Sequence, residues 1–174
     1  REVLLGLPCL EQDANLSLLY DSRADLEDEI SNAGYYGEVG SLSYYPVTGR
    51  TLQVNSNYGS RWDPVSQKRY AYHHGIDLRA ASGTPIGAWF SGQVYKTGYD
   101  TGCGNYIWLD HGHGVKTFYC HLSEVRCFKG QTVKQGSIIA LSGNTGTQTT
   151  GPHLHLGLYI DGSSVDPLVV LTSQ

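Results

Sequence analysis

The sequence predicts a mainly β protein, a compact antiparallel β-sheet domain of the barrel-sandwich kind, preceded by a short helical segment at the N-terminus. Two observations support this fold class. From about residue 46 onward, short segments rich in Val, Ile, Tyr and Thr alternate polar and apolar residues, as strands of a half-buried sheet do. The chain has 174 residues and 22 glycines, and many of these glycines separate the segments, which indicates tight turns.

The first 45 residues have a different composition and predict one acidic helix. Within "LLYDSRADLEDEISNAGYYG", Ser22 is a capping residue, acidic side chains crowd the first turns, and Leu26 and Ile30 stand four residues apart. We therefore divide the chain into an N-terminal segment, 1–45, and a β domain, 46–174. A lone helix of this length is marginal in water, so we expect it to dock on the β domain as a brace. A flap across the site is the alternative, and activity after removal of residues 1–40 distinguishes the two.

Five alternating segments are the predicted strands of the β domain. In the last of them, Leu154 and Leu156 face the core, while His153 and His155 project together from the opposite face. These two imidazoles are roughly 7 Å apart along the strand, so one metal ligand and one neighbour is the expected arrangement. In chain order, the segments are "QVYKTG", "NYIWLDHG", "VKTFYCHL", "SIIALSG" and "HLHLGLYI".

Two further expectations concern the third of these segments and the turn before it. Phe118 and Cys120 are expected to alternate inward, and His121 to stand at the strand end. The histidines of "DHGHG", His111 and His113, are expected to be solvated residues of a hairpin turn.

Charge and hydropathy exclude several classes of function. With 12 basic and 16 acidic residues the net charge is −4, which disfavours binding to nucleic acid or anionic lipid. No apolar run is long enough to span a membrane, and no segment has the pattern of a signal peptide. Because the chain opens on Arg1 and contains no methionine, we expect a mature form or an excised domain.

The four cysteines favour disulfides over a structural zinc site. Their number is even and none of their spacings is CxxC. If the second and third strand segments form a hairpin, Cys103 falls near Cys120 or Cys127, and we expect it to pair with one of them. The cysteines are Cys9, Cys103, Cys120 and Cys127. The alternative is four buried free thiols in a cytosolic protein, because free cysteine is among the most buried residue types.

A second group of polar residues suggests a metal site. In "YAYHHGIDLRA", His73 and Asp77 are separated by three residues, with Gly75 between them to allow a sharp turn. Imidazole nitrogen and carboxylate oxygen are good ligands for Zn²⁺, and two histidines with one carboxylate is a common open, catalytic set.

These motifs together resemble the lysostaphin-type, or LytM-type, zinc metalloendopeptidases that cut bacterial peptidoglycan. The resemblance runs from about residue 52 to residue 170. The motifs that carry it are, in order, "NYGSRWDP", "HHGIDLRAASGTPI", "GNYIWLDHG", "FYCHLS", "GQTVKQGSIIALSGNTG" and "TGPHLHLGLYIDGSSVDP".

The resemblance implies a catalytic set and a cofactor. His73, Asp77 and His155 would bind one Zn²⁺ per chain, and His121 and His153 would be the catalytic histidines beside the attacking water. It further implies peptidoglycan peptides as the partner, an extracytoplasmic location and a monomer without membrane insertion. Cys120 departs from the family's usual Ala or Gly before this histidine, which is consistent with a disulfide behind the strand.

Two other readings are tested against the same residues. A non-catalytic peptidoglycan-binding or regulatory module of the same fold usually has an eroded metal set, whereas this set is complete, and zinc content distinguishes them. A biotinyl or lipoyl carrier domain would explain "GQTVKQGSIIALSGNTG". It requires a modifiable lysine, usually beside methionine, and leaves the histidines unexplained.

Overall fold

The computed structural model describes residues 40–61, 65, 67 and 71–171, and within them the chain is almost entirely antiparallel β-sheet. The predicted mainly β fold class is confirmed, and all five predicted strand segments are strands. The predicted acidic helix with Leu26 and Ile30, and Cys9, lie outside the described residues.

Thirteen strands and one 3-10 turn follow one another in the described residues. They are β1 Val54–Ser56, β2 Gly59–Arg61, β3 Ala71–His73, β4 Ile76–Arg79, β5 Pro85–Gly87, β6 Gly92–Asp100, β7 Gly104–Gly112, β8 Val115–Leu122, β9 Glu124–Val125, β10 Thr132–Val133, β11 Ile138–Leu141, β12 His153–Ile160, β13 Ser163–Val165 and the 3-10 turn Pro167–Val169.

The large sheet has the strand order β1-β4-β12-β8-β7-β6-β10, and β13 pairs with the second half of β12. A three-stranded sheet, β5-β11-β9, and the β2-β3 pair complete the described fold. One face of the large sheet joins the three-stranded sheet in a single apolar core. Its buried side chains include Ile76, Leu78, Ile86, Ile107, Leu109, Ile139, Leu154, Leu156 and Leu158. The opposite face is therefore available for polar chemistry, and we call it the site face.

Strand β8 has the opposite orientation from the one expected. Thr117 and Tyr119 face the main core, whereas Phe118 and Cys120 lie in a smaller cluster with Trp108 on the site face. The expectation that Phe118 and Cys120 point into the core was wrong. The hydroxyl groups of Thr117 and Tyr119 tolerate burial because they bond to each other, 2.8 Å apart.

The expectation that His111 is a solvated turn residue was also wrong. His111 lies near the end of β7, and only 1% of its surface is exposed. Its Nδ1–H donates to the carbonyl oxygen of Ser91 at 2.8 Å, and its Nε2 accepts from the Thr117 hydroxyl at 2.7 Å. The Tyr119 hydroxyl donates to Thr117 and accepts from the backbone N–H of Trp89 at 3.0 Å. This chain of hydrogen bonds gives partners to the His111 ring and to the hydroxyl groups of Thr117 and Tyr119. His113 is exposed in the turn, as expected.

In the part of the chain that the structure describes, no helix combines the length and apolar character needed to cross a membrane.

Candidate metal centre

Three side chains, one from the β2-β3 pair and two from neighbouring strands of the large sheet, converge beside the site face. His73 is the last residue of β3, Asp77 lies in β4, and His155 lies opposite Asp77 in β12. The Asp77 Oδ1 atom is 3.1 Å from both His73 Nε2 and His155 Nδ1, and these two nitrogens are 3.0 Å apart. The three atoms form a nearly equilateral triangle.

This triangle has the dimensions of a zinc donor set. Ligand atoms at about 2.0 to 2.1 Å from one tetrahedral ion lie roughly 3.3 Å from each other. Two imidazole nitrogens and one carboxylate oxygen also match the ligand chemistry of Zn²⁺. The set supplies three ligands, which leaves a fourth tetrahedral position for water or substrate.

Surrounding groups prepare the ligand atoms for a cation. The Nδ1–H of His73 donates to the backbone carbonyl of Asn57 at 2.9 Å, so the lone pair of Nε2 points into the triangle. Burial alone would raise the pKa of Asp77, but the ring nitrogens of His155 and His73 beside it outweigh burial and hold that pKa below its ordinary value. Burial lowers the pKa of His155 to about 4, against the opposing hydrogen bond to Asp77. Asp77 is therefore an anion and His155 a neutral ring at neutral pH.

Gly75 has a role that differs from the turn freedom expected of it. A Cβ atom at this position would lie 2.9 Å from Cε1 and Nε2 of His155 and would collide with the carbonyl oxygen of Leu156. The missing side chain therefore allows the His155 ring to pack directly against the backbone between His73 and Asp77.

His153 stands beside the triangle without belonging to it. Its Nδ1–H donates to the carbonyl oxygen of Gly151 at 2.8 Å, which leaves Nε2 unprotonated in the neutral ring. That Nε2 is 3.5 Å from Asp77 Oδ1. His153 and His155 project from the same face of β12, as the alternation predicts, and their ring nitrogens reach the site from different sides.

His121 reaches the site through an irregularity in β8. The pairing of β7 with β8 shifts between Asn105↔Leu122 and Ile107↔Tyr119, so β8 has one extra residue there. His121 has a φ of +62°, in the left-handed region. Strict alternation would turn this side chain toward the core, and the bulge turns it toward the site instead.

The His121 ring is then held in place by one backbone group. Its Nδ1–H donates to the carbonyl oxygen of Thr145 at 2.8 Å, so Nε2 is available to a substrate. The ring centroid is 4.8 Å from that of His153 and 6.3 Å from that of His155. Burial lowers the pKa of His121, and the bond to Thr145 opposes this effect. The structure thus brings together all five residues that the sequence nominated.

Aromatic rings continue the site face away from His155. Phe118 packs edge-on to the His155 ring, with ring centroids 5.9 Å apart. The ring of Trp108 packs against Phe118, and the centroids of these two rings are 4.4 Å apart. Tyr159 and Tyr106 extend the same cluster. These rings form a firm apolar support under one metal-ligating strand.

The thiols of Cys103 and Cys120 meet in this cluster. Cys120 Sγ–H donates to the Cys103 carbonyl at 3.2 Å, and a hydrogen bond from the Cys120 thiol lowers the pKa of Cys103. Cys127 packs instead against the main core. All three carry free thiols in this structure. Of the two partners expected for Cys103, Cys120 is the neighbour.

The family assignment rests on the region that builds this site. The sequence profile of Peptidase family M23 matches residues 71–167, more than half of the chain. The chain belongs to peptidase family M23.

Relatives of this M23 chain extend the match. It is 41% identical over 149 residues to a protein of Haemophilus influenzae named "Uncharacterized metalloprotease", covering 82% of this chain and 31% of the relative. It is 40% identical over 124 residues to "Peptidoglycan DD-endopeptidase ShyA" of Vibrio cholerae, covering 71% and 28% of the two chains.

A solved structure gives the same assignment. A zinc-containing peptidase from Vibrio cholerae superposes with a TM-score of 0.68 at 34% identity, covering 76% of this chain and 41% of that one. The M23 chain spans about a third of the length of the curated relatives it matches.

Sequence reasoning missed the groups that orient the histidines of the M23 site. These are the backbone carbonyls of Asn57, Thr145 and Gly151. A carbonyl is present at every residue, so no residue type could have revealed them. The close packing of His155 against Gly75 could have been predicted from the glycine itself. This glycine is expected from the sequence to allow a sharp turn, and not the close approach of another side chain.

Proposed function

We propose that this chain is a zinc endopeptidase that hydrolyses peptide bonds in the stem peptides or cross-bridges of bacterial peptidoglycan. The observation that carries the proposal is the triangle of donor atoms 3.0 to 3.1 Å apart, with two further histidines beside it. Membership of family M23 and a relative named as a peptidoglycan DD-endopeptidase supply the substrate class.

In this proposal His73, Asp77 and His155 hold one Zn²⁺ through Nε2, Oδ1 and Nδ1. Bound there, zinc would polarise the scissile carbonyl and lower the pKa of water toward neutrality. The charge balance supports this assignment, because one carboxylate and two neutral imidazoles leave a net positive centre that attracts a carbonyl oxygen.

The proposed general base is His153. Its Nδ1–H is committed to Gly151, so Nε2 is the atom that accepts the proton of the attacking water. The distance of 3.5 Å between His153 Nε2 and Asp77 Oδ1 supports this role. The proton can then pass to the leaving amine.

The proposed partner of the scissile carbonyl is His121. With Nδ1–H held by Thr145, Nε2 is the atom that faces the substrate, and it can donate to the oxygen on which negative charge develops when the ring takes up a second proton, which burial makes less favourable. The strained backbone at His121 supports a role at the site, since such strain costs on the order of 1 to 3 kcal/mol and is found where a particular direction is needed.

We further propose an extracytoplasmic, monomeric enzyme in which Cys103 and Cys120 form a disulfide. The contact between these two thiols supports the pairing. Two thiol–disulfide exchanges with a small disulfide such as oxidised glutathione would form the bond and release two thiols of the oxidant. Alkylation and mass spectrometry of the peptides before and after that treatment test it: a loss of about 2 Da with Cys103 and Cys120 protected is expected, and alkylation of both of these residues after the treatment would refute it.

The function is tested by digesting purified cell walls of several cross-bridge chemistries with zinc-loaded protein. New amino termini, identified by mass spectrometry, are the expected product. The Asp77→Ala variant serves as the control because it should lose zinc. A zinc-loaded, folded protein that releases no new amino termini from any wall would contradict the proposal and favour the non-catalytic module.

A further inference from the structure

A polar cleft of about 370 Å³ lies at the end of β4, the strand that carries Asp77. It lies between the end of β4 and the segment that leads into β1. Its lining residues are Arg50, Thr51, Gln53, Arg79, Ala80 and Ala81. We call it the arginine cleft.

Strand register connects the arginine cleft to the catalytic histidines. Arg79 lies directly opposite His153 in the β4–β12 pair, as Asp77 lies opposite His155. Directly opposed residues project from the same face of a sheet, so the Arg79 side chain leaves the site face beside His153. Arg79 is two positions after Asp77 in an extended strand, a distance of about 7 Å. A peptide held at the metal centre therefore reaches the cleft within one or two residues.

The charges in the cleft are available to a ligand. One nitrogen of Arg79, Nη1, donates to the Gln53 Oε1 at 3.4 Å, so the guanidinium leans toward the cleft wall that Gln53 lines, on the β1 side of β4. Within the described residues, neither Arg50 nor Arg79 forms an ion pair with a carboxylate, whereas Arg126 pairs with Glu124 at 3.1 Å. Two arginines without acidic partners line one cleft of a chain whose net charge is −4.

Guanidinium groups recognise carboxylates in a planar, two-bond geometry that lysine does not reproduce. The long side chains of Arg50 and Arg79 are exposed, so a bound anion remains partly solvated and the gain is moderate. Gln53 and Thr51 add polar groups at the cleft wall. The cleft thus offers two guanidinium groups and neutral hydrogen-bond donors. This chemistry favours binding of an anion over a neutral or cationic group.

We propose that the arginine cleft binds a carboxylate of the peptide being cut, so that this chain prefers peptides with a free carboxylate one or two residues from the cleaved bond. The inference rests on the proposed peptidase function for its substrate. Arg79 is the specificity-determining residue because it stands next to His153, and Arg50 reinforces the charge from the other wall.

The test uses cross-linked muropeptide dimers in two forms, with free carboxylates and with the same carboxylates converted to amides. For the zinc-loaded chain we expect a kcat/KM ratio of about 2 to 5 in favour of the free acid, the range of a partly solvated ion pair. In Arg79→Gln the ratio should fall toward 1, and in Arg79→Lys it should be intermediate. Arg126→Gln, which removes an exposed arginine remote from the cleft, should keep the full ratio.

Binding provides a second measurement that does not depend on cleavage. Calorimetry with the His153→Ala variant should show tighter binding of the acid than of the amide, and the added Arg79→Gln change should remove the difference. Equal binding of the two forms, or an unchanged preference in Arg79→Gln, would overturn the proposal that the arginine cleft binds a carboxylate. If the acid is preferred in binding but no dimer is cut, the proposed hydrolysis fails while the carboxylate site stands.

Discussion

At the scale of single residues, the five polar side chains of the site divide into ligands and neighbours, and substitution should separate the two classes. His153→Ala and His121→Ala should keep zinc, because neither ring belongs to the donor triangle. Both should lose wall-cleaving activity by about 10²-fold or more, the usual contribution of a general base or an oxyanion donor. Zinc content by mass spectrometry and release of amino termini measure the two properties.

The opposite outcome is equally informative. If His153→Ala lost its zinc and Asp77→Ala retained it, the ligand assignment would be wrong. Full activity in His121→Ala would show that His121 has no role in catalysis.

Gly75 supports a prediction about metal affinity. Gly75→Ala places a methyl group against the His155 ring and the Leu156 carbonyl, so one ligand must move away from the triangle. Zinc affinity should fall by about 10- to 100-fold, as for other disturbed ligand orientations, in a competition with a chromogenic chelator. Gly151→Ala is the matched control because a Cβ atom there would meet nothing within 4 Å. Similar affinity in the two variants would show that the His155 position does not depend on Gly75.

At the scale of elements, alternation correctly predicted which face of β12 holds the histidines but failed in β8. In β12, Leu154 and Leu156 are apolar and every alternate residue fits one face. In β8, both faces carry aromatic or small apolar groups, so hydrophobicity does not distinguish them. The bulge before Leu122 could not be predicted from a glycine either, because the residue with the positive φ is His121. Irregular pairing depends on the neighbouring strand, which local sequence does not contain.

The hydrogen-bonded chain between β7 and β8 predicts the effect of removing one hydroxyl. Thr117→Val keeps the shape of the side chain but leaves His111 Nε2 and the Tyr119 hydroxyl without their buried partner. The free energy of unfolding should fall by about 2 to 3 kcal/mol, measured by urea denaturation. Thr132→Val, at an exposed strand position, is the control and should change it by less than about 0.5 kcal/mol. Equal losses in the two variants would mean that the buried chain adds nothing.

At the scale of the whole molecule, the buried His111 predicts sensitivity to acid. In the unfolded chain histidine takes up a proton near pH 6.5, whereas burial lowers the pKa of His111 in the folded protein to about 4. The unfolded state therefore binds more protons between these values, and stability from this group falls as the pH drops from about 6.5 to 4. The total loss is roughly 3 kcal/mol, and above pH 7 the contribution is constant.

Unfolding of the zinc-free protein at pH 7 and pH 4.5 measures this loss, with chelator present so that metal release does not contribute. In His111→Gln the difference between the two pH values should shrink by about 2 kcal/mol, since glutamine does not titrate. An unchanged pH dependence in the variant would assign the acid sensitivity to other groups.

Whole-molecule features were predictable to the extent that they repeat along the chain. Alternating segments and glycine turns gave the β fold class, and the spacing of His73, Asp77 and His155 with the family resemblance nominated the site. The order of strands in the large sheet, and the meeting of Arg79 with His153, depend on long-range pairing. The contacts between β4 and β12 join residues more than 70 positions apart, and no local pattern encodes them.

The carbonyl groups that hold the histidine rings have a consequence for mutational robustness. His73, His121 and His153 each owe their tautomer to a main-chain oxygen, at Asn57, Thr145 and Gly151. Substitution changes a side chain and leaves its carbonyl in place, so sequence drift at these three positions need not disturb the protonation pattern of the site. The orientation of the reactive nitrogens is therefore inherited with the path of the backbone, and relatives can diverge around the metal centre while its proton chemistry stays the same.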